Sequence, residues 1–75
     1  MIGPIGKIFV DYVPPGRSKV VPGSWWIAHA IYNDGDAPCA WDFDRLGAVG
    51  RLIDFIEAHP AKGRLAESVV IETTV

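Results

Sequence analysis

The chain is predicted to be an α+β domain: a single small, mostly antiparallel four-stranded sheet with one helix packed on one face, in the order β-β-β-α-β. Three observations carry this expectation. Segments 7–13, 24–32, 39–43 and 68–74 are rich in β-branched and aromatic residues that alternate with period two. The helical period appears once, from Leu46 to Ala58. A length of 75 residues leaves room for one domain and one small core, so a single helix covering one sheet face is the economical arrangement.

The elements follow in order. Residues 1–6 contain two glycines and a proline and read as a flexible lead-in to a single domain spanning 1–75. Lys7 to Val13 is the first strand, with Ile8, Val10 and Tyr12 on one face. Pro14-Pro15-Gly16 stops it, because proline cannot donate to a ladder and glycine permits a turn. Ser24 to Tyr32 is the second strand. Trp25, Ile27, His29 and Ile31 share one of its faces, and Trp26, Ala28, Ala30 and Tyr32 share the other. Asn33-Asp34-Gly35-Asp36 is a hairpin signal, and Cys39 to Phe43 returns as the third strand.

Asp44 has the character of an N-cap, with a carboxylate placed to accept from the free amides of the first helical turn. Leu46, Val49, Leu52, Ile53 and Ile56 form the apolar stripe, flanked by Phe55. Gly47 and Gly50 each cost up to about 1 kcal/mol against alanine, so the helix depends on docking that stripe. His59-Pro60 ends it, since the residue before proline is driven from the helical region. Ser68 to Thr74 is the last strand. The face beneath the helix is expected to carry Ile8, Val10, Tyr12, Trp41, Phe43, Val69 and Ile71, joined by either face of the second strand.

The other sheet face is left open, and there the functional expectation lies. It presents Phe9, Val13, Val70 and one tryptophan-bearing face of the second strand, so an aromatic patch is exposed whichever face that is. Such patches mark partner surfaces, and Trp and Tyr are frequent anchors. The candidate partner-binding residues are Phe9, Trp25, Trp26, Tyr32, Asp42 and Glu72. Asp11, Asp42, Asp44 and Glu72 are also candidates for a negative strip that would engage a basic groove on a nucleic-acid-binding protein. A solvated charged face is the plainer alternative for that strip, and self-association or cover by the loop Pro14 to Gly23 is the alternative for the aromatic patch.

Other classes have less behind them. A formal charge of −2 argues against direct nucleic-acid binding. Cys39 is the single cysteine, so no internal disulfide is expected. His29, His59 and Cys39 are the remaining candidates for nucleophilic or metal chemistry, with His29 and Cys39 expected as neighbours across the hairpin. Inert packing of the thiol and a helix-terminal role for His59 are favoured over catalysis. No cofactor or metal is expected, and no enzyme. The longest apolar run, Trp25 to Tyr32 with His29 inside it, falls far short of the roughly 20 residues that span a bilayer. Residues 1–10 lack the pattern of a signal peptide, and a cytoplasmic location is expected.

Two layouts bear a resemblance. Ala40-Trp41-Asp42-Phe43-Asp44 running into an amphipathic helix, followed by His59-Pro60-Ala61-Lys62-Gly63-Arg64-Leu65, resembles the strand-helix-loop layout of small phage-encoded anti-CRISPR proteins over about a third of the chain. The final strand stands where a second helix belongs in that layout. The three-strand-then-helix order is also similar to antitoxins of the HicB type. Either resemblance implies a non-enzymatic protein that blocks another macromolecule, and the first implies one encoded by a phage or mobile element. The expected function is therefore a small inhibitor or adaptor that binds a protein partner. A structural homodimeric module or a HicB-like antitoxin is the alternative.

Overall fold

The computed structural model of the chain describes residues 4–17, 19–20 and 23–74. Its elements are β1 (Pro4–Val13), β2 (Trp25–His29), β3 (Cys39–Asp42), α1 (Arg45–Ala58) and β4 (Arg64–Thr74), the predicted order. The strands form one sheet in the order β3-β2-β1-β4. β1 pairs antiparallel with β2, and β2 with β3, while β4 runs parallel to β1. The sheet is thus mixed. Its parallel pair follows from α1, which carries the chain across one face to the far edge, as a parallel connection requires.

β1 and β4 both begin earlier than expected. Pro4 and Ile5 pair with Arg64 and Leu65, so Pro4 to Gly6 belong to the sheet and not to a lead-in; Met1 to Gly3 lie outside the described residues. Proline is tolerated there because the first residue of a strand can lack a donor. Ile5 is 5% exposed, and its burial ties the segment down. A register shift between Ile5 and Lys7 turns both Ile5 and Ile8 inward despite their odd spacing. The β2 ladder stops at His29, short of the expected Tyr32. Two backbone bonds, Ala30 N–H to Pro38 O at 3.1 Å and Tyr32 N–H to Asp36 O at 2.8 Å, carry the hairpin on to its turn. Gly35 supplies the positive φ there, 95°, and Asp34 Oδ1 accepts from the Asp36 amide at 3.0 Å.

Asp44 caps α1 as expected, with extended φ/ψ and Oδ1 accepting from Leu46 N–H at 3.0 Å. Ala48, Val49, Leu52 and Ile56 are the buried helical residues. They close over Ile8, Val10, Ala28, Ala30 and Tyr32, with Trp26, Ala40, Ile53, Leu65 and Val69 packed around them. Leu46, expected in the stripe, is 71% exposed, because the stripe is rotated toward Ala48.

The face assignment of β3 is corrected. Trp41 and Phe43 lie on the outer face, and Ala40 and Asp42 face the helix. The cause is close approach. α1 brings Gly47 so near β3 that a Cβ there would stand 2.5 Å from Asp42 Oδ2. Gly47 permits that spacing, and the side chain it meets is the short Asp42 carboxylate. Tyr12 and Ile71 are on the expected face but remain partly exposed, at the end of β1 and on edge strand β4.

Candidate functional site

The outer sheet face is built by alternation. The residues whose neighbours point into the core must point away from it. On β2 the inner set is Trp26, Ala28, Ala30 and Tyr32, so Trp25, Ile27, His29 and Ile31 are outside. From β1 come Lys7, Phe9 and Asp11, from β3 Cys39 and Trp41 with Phe43 just after, and from β4 Val70 and Glu72. α1 is the single helix among the described residues, and it lies on the opposite face.

The rings form two groups. Trp25 meets Trp41 edge-on at 5.7 Å and 73°, and Trp41 meets Phe43 edge-on at 5.3 Å and 86°. Phe9 and His29 stack at 5.2 Å and 20°. Lys7 Nζ stands 5.7 Å from the Phe9 centroid and 3.2 Å from Glu72. Asp11 Oδ2 lies 3.9 Å from His29 Nδ1. An aromatic centre thus sits beside a margin carrying both charge signs. Trp41 is 42% exposed and Phe43 59%. Trp25 Nε1 is shielded from water and has no hydrogen-bond acceptor among the described residues. An orphaned donor of this kind is uncommon in folded proteins.

Of the expected partner-binding residues, Phe9, Trp25 and Glu72 are on this face. Trp26, Tyr32 and Asp42 are not. Tyr32 is a core residue, 4% exposed. Trp26 packs against the core and against Tyr12, at 5.1 Å. Asp42 turns toward the helix: Oδ1 accepts from the Phe43 amide at 2.6 Å and Oδ2 from Arg51 Nε at 3.1 Å. The negative strip is therefore dismantled, since Asp42 and Asp44 both serve the start of α1. The residues the sequence reading placed on the wrong side, Trp41 and Phe43, are the most exposed rings of the face. The signal that marks the covered side is Gly47, whose missing side chain leaves room for Asp42.

His29 and Cys39 are cross-strand partners, as expected, but the thiol is exposed on the outer face and not packed inward. Among the described residues, no group of three or more His, Cys, Asp or Glu side chains is placed to hold a metal ion, and no helix is long and apolar enough to cross a membrane.

A second feature lies at the hairpin end of the helix. A cleft of about 510 Å³ is lined by Tyr32, Asp36, Pro38, Phe55, His59 and Lys62. Lys62 Nζ donates to Asp34 Oδ2 at 3.0 Å and also to Asp36. The Asp36 amide and then Lys62 hold the Asp34 carboxyl below its usual range, and Asp36 and Asp34 push the Lys62 ammonium up. His59 keeps the expected helix-terminal role. Its Nδ1 is 2.8 Å from Phe55 O, and since a carbonyl only accepts, Nδ1 donates. The cleft is a clasp that fastens the turn to the loop after α1. The chain matches no protein-family profile, no curated protein and no solved structure.

Proposed function

We propose that this chain is a non-enzymatic protein-binding module, an inhibitor or adaptor, that docks a protein partner on the outer sheet face. The observation that carries this reading is the Trp25–Trp41–Phe43 cluster on the face away from the helix. Exposed contiguous aromatic surface beside polar groups is the anatomy of a protein interface. The formal charge of −2 favours a protein partner over nucleic acid. A flat sheet face also lacks the walls that enclose a small ligand. His29 and Cys39, though adjacent, stand on that same open face, where nothing excludes water from a reacting group. Blocking a macromolecule, the role the anti-CRISPR resemblance implies, needs such a face and no catalytic chemistry. The partner that fits offers an apolar centre and a basic margin opposite Asp11 and Glu72.

The test compares variants of equal fold. Trp41→Ala and Phe43→Ala are expected to keep native circular dichroism and to weaken capture of the partner at least about thirtyfold, the loss of roughly 2 kcal/mol typical of a central anchor. Leu46→Ala, on the exposed side of α1, is the control that leaves capture unchanged. Equal capture by all three variants overturns the reading. So does saturable binding of labelled single-stranded RNA or DNA that is lost with Trp41→Ala.

A further inference from the structure

We propose that a second copy of this chain pairs antiparallel along β4, joining two four-stranded sheets into one. The sheet ends in two unequal edges. β3 has four residues, and α1 lies close over it. β4, the opposite edge, has 11 residues and bonds to β1 on one side only. An open strand edge is a row of unpaired backbone donors and acceptors, which natural sheets blunt with charge, proline, shortness or a bulge. β4 has neither lysine nor proline; its register against β1 does shift, five positions from Leu65 to Val70 against two from Ile5 to Lys7, yet it remains one strand from Arg64 to Thr74. Its apolar side chains are also incompletely covered: Val70 on the outer face is 58% exposed, and Ile71 on the helix face is 38% exposed.

Charge complementarity selects the occupant and the register. A two-fold axis normal to the sheet keeps outer residues beside outer residues, so cross-strand partners must share a face. Arg64 is an exposed cation with no ion pair among the described residues. β4 carries two carboxylates, Glu67 and Glu72, and Glu72 shares the outer face with Arg64. An axis through Ser68 sets each Arg64 opposite Glu72 of the second copy. The same register sets Ile71 opposite Leu65 on the helix face, covering an apolar side chain that α1 does not reach, and Val70 opposite Ala66 on the outer face. It places no like charges opposite each other. The outer aromatic faces then lie on one side of the joined sheet and stay free; Glu72, already beside Lys7, is the one residue shared with the docking proposed above, which keeps Asp11 as its acidic margin.

The experiment is the solution mass as a function of concentration, by sedimentation equilibrium, on four forms of the full chain. The wild type is expected to be a dimer. Arg64→Glu and Glu72→Arg, each placing two like-charge pairs across the axis, are expected to weaken it about tenfold. The charge swap carrying both substitutions is expected to restore it, which a merely structural role for either residue cannot do. Trp41→Ala is expected to leave the dimer intact. A wild type that stays monomeric at every concentration overturns the proposal, as does a dimer indifferent to both single charge reversals. A dimer lost with Trp41→Ala also overturns it and assigns self-association to the outer face.

Discussion

The two faces of the sheet hold their rings differently. The covered face carries Ala28, Ala30 and Ala40, with Tyr32 and Trp26 packed among aliphatic neighbours, and Ile8, Val10, Leu52 and Ile56 are the largest fully buried side chains. The open face carries Phe9, Trp25, Trp41 and Phe43. Burial of apolar area alone would send every ring inward. At β3 the helix approach decides otherwise: Gly47 lies against the Asp42 side chain, and Trp41 and Phe43 stand on the side that has no helix. The largest fully buried side chains are aliphatic, and a ring cluster is left on the open face for other uses.

The sharpest way to break this contrast is to truncate one residue from each face. Leu52→Ala removes a fully buried side chain and is expected to cost roughly 2–5 kcal/mol of unfolding free energy in a denaturant titration. Phe43→Ala, at a side chain 59% exposed, is expected to cost under about 1 kcal/mol. If Phe43→Ala proves as damaging as Leu52→Ala, the outer face is a second core and the docking proposal falls with it.

A smaller effect tests the cause of the contrast. Gly47 and Gly50 lie on the same helix, and on propensity alone each should gain up to about 1 kcal/mol when replaced by alanine. A Cβ at Gly50 meets nothing within 4 Å, so Gly50→Ala is expected to stabilise. A Cβ at Gly47 runs into an Asp42 carboxylate that already holds the Phe43 amide and Arg51. Gly47→Ala is therefore expected to destabilise, by about 1 kcal/mol, with opposite sign to its neighbour. Thermal melts of the two variants decide it. Stabilisation by both would show that the helix can sit higher and that close approach does not govern the faces.

The strand-strand-strand-helix-strand order was legible because each element is signalled locally, by alternation, by Asp34-Gly35 at the turn, by Asp44 at the cap and by Pro60 at the helix end. What stayed hidden depends on distant pairings. Nothing local marks Pro4 to Gly6 as strand, since they are held by Arg64 and Leu65 at the other end of the chain. The faces of β3 were misread for a related reason. Period two separates Trp41 and Phe43 from Ala40 and Asp42 but does not say which set is covered, and hydrophobicity favours the rings. The deciding residue, Gly47, appears in sequence only as a helix-weakening glycine. For the same reason Asp42 looked like a surface charge, since its partner, Arg51, stands nine residues on, within α1. Phe9 and Glu72 fall on the open face because a single alternation from Ile8 and Val10, or from Val69 and Ile71, decides them, whereas the choice between Trp25 and Trp26 stays open in the sequence because either face of β2 is apolar.

The smallest expected effect concerns the one polar fastening between the hairpin of the covered face and the loop after α1, the Lys62 clasp on Asp34 and Asp36. Asp34 is held below its ordinary value of 3.8, so its contribution is present above that value and is lost as pH falls through the lower folded one. Lys62 is raised above its ordinary 10.5, so its contribution is fully present below that value and is lost only in stronger alkali. The clasp is therefore closed throughout the neutral range and opens first in acid. Lys62→Met is expected to lower the melting temperature slightly at pH 7 in low salt. The difference from wild type should shrink as salt screens these exposed charges. It should also shrink in acid as Asp34 is protonated. A gap that persists in acid would instead assign the contribution of Lys62 to its aliphatic stem, with its ammonium 5.7 Å from the centroid of the buried Tyr32 ring.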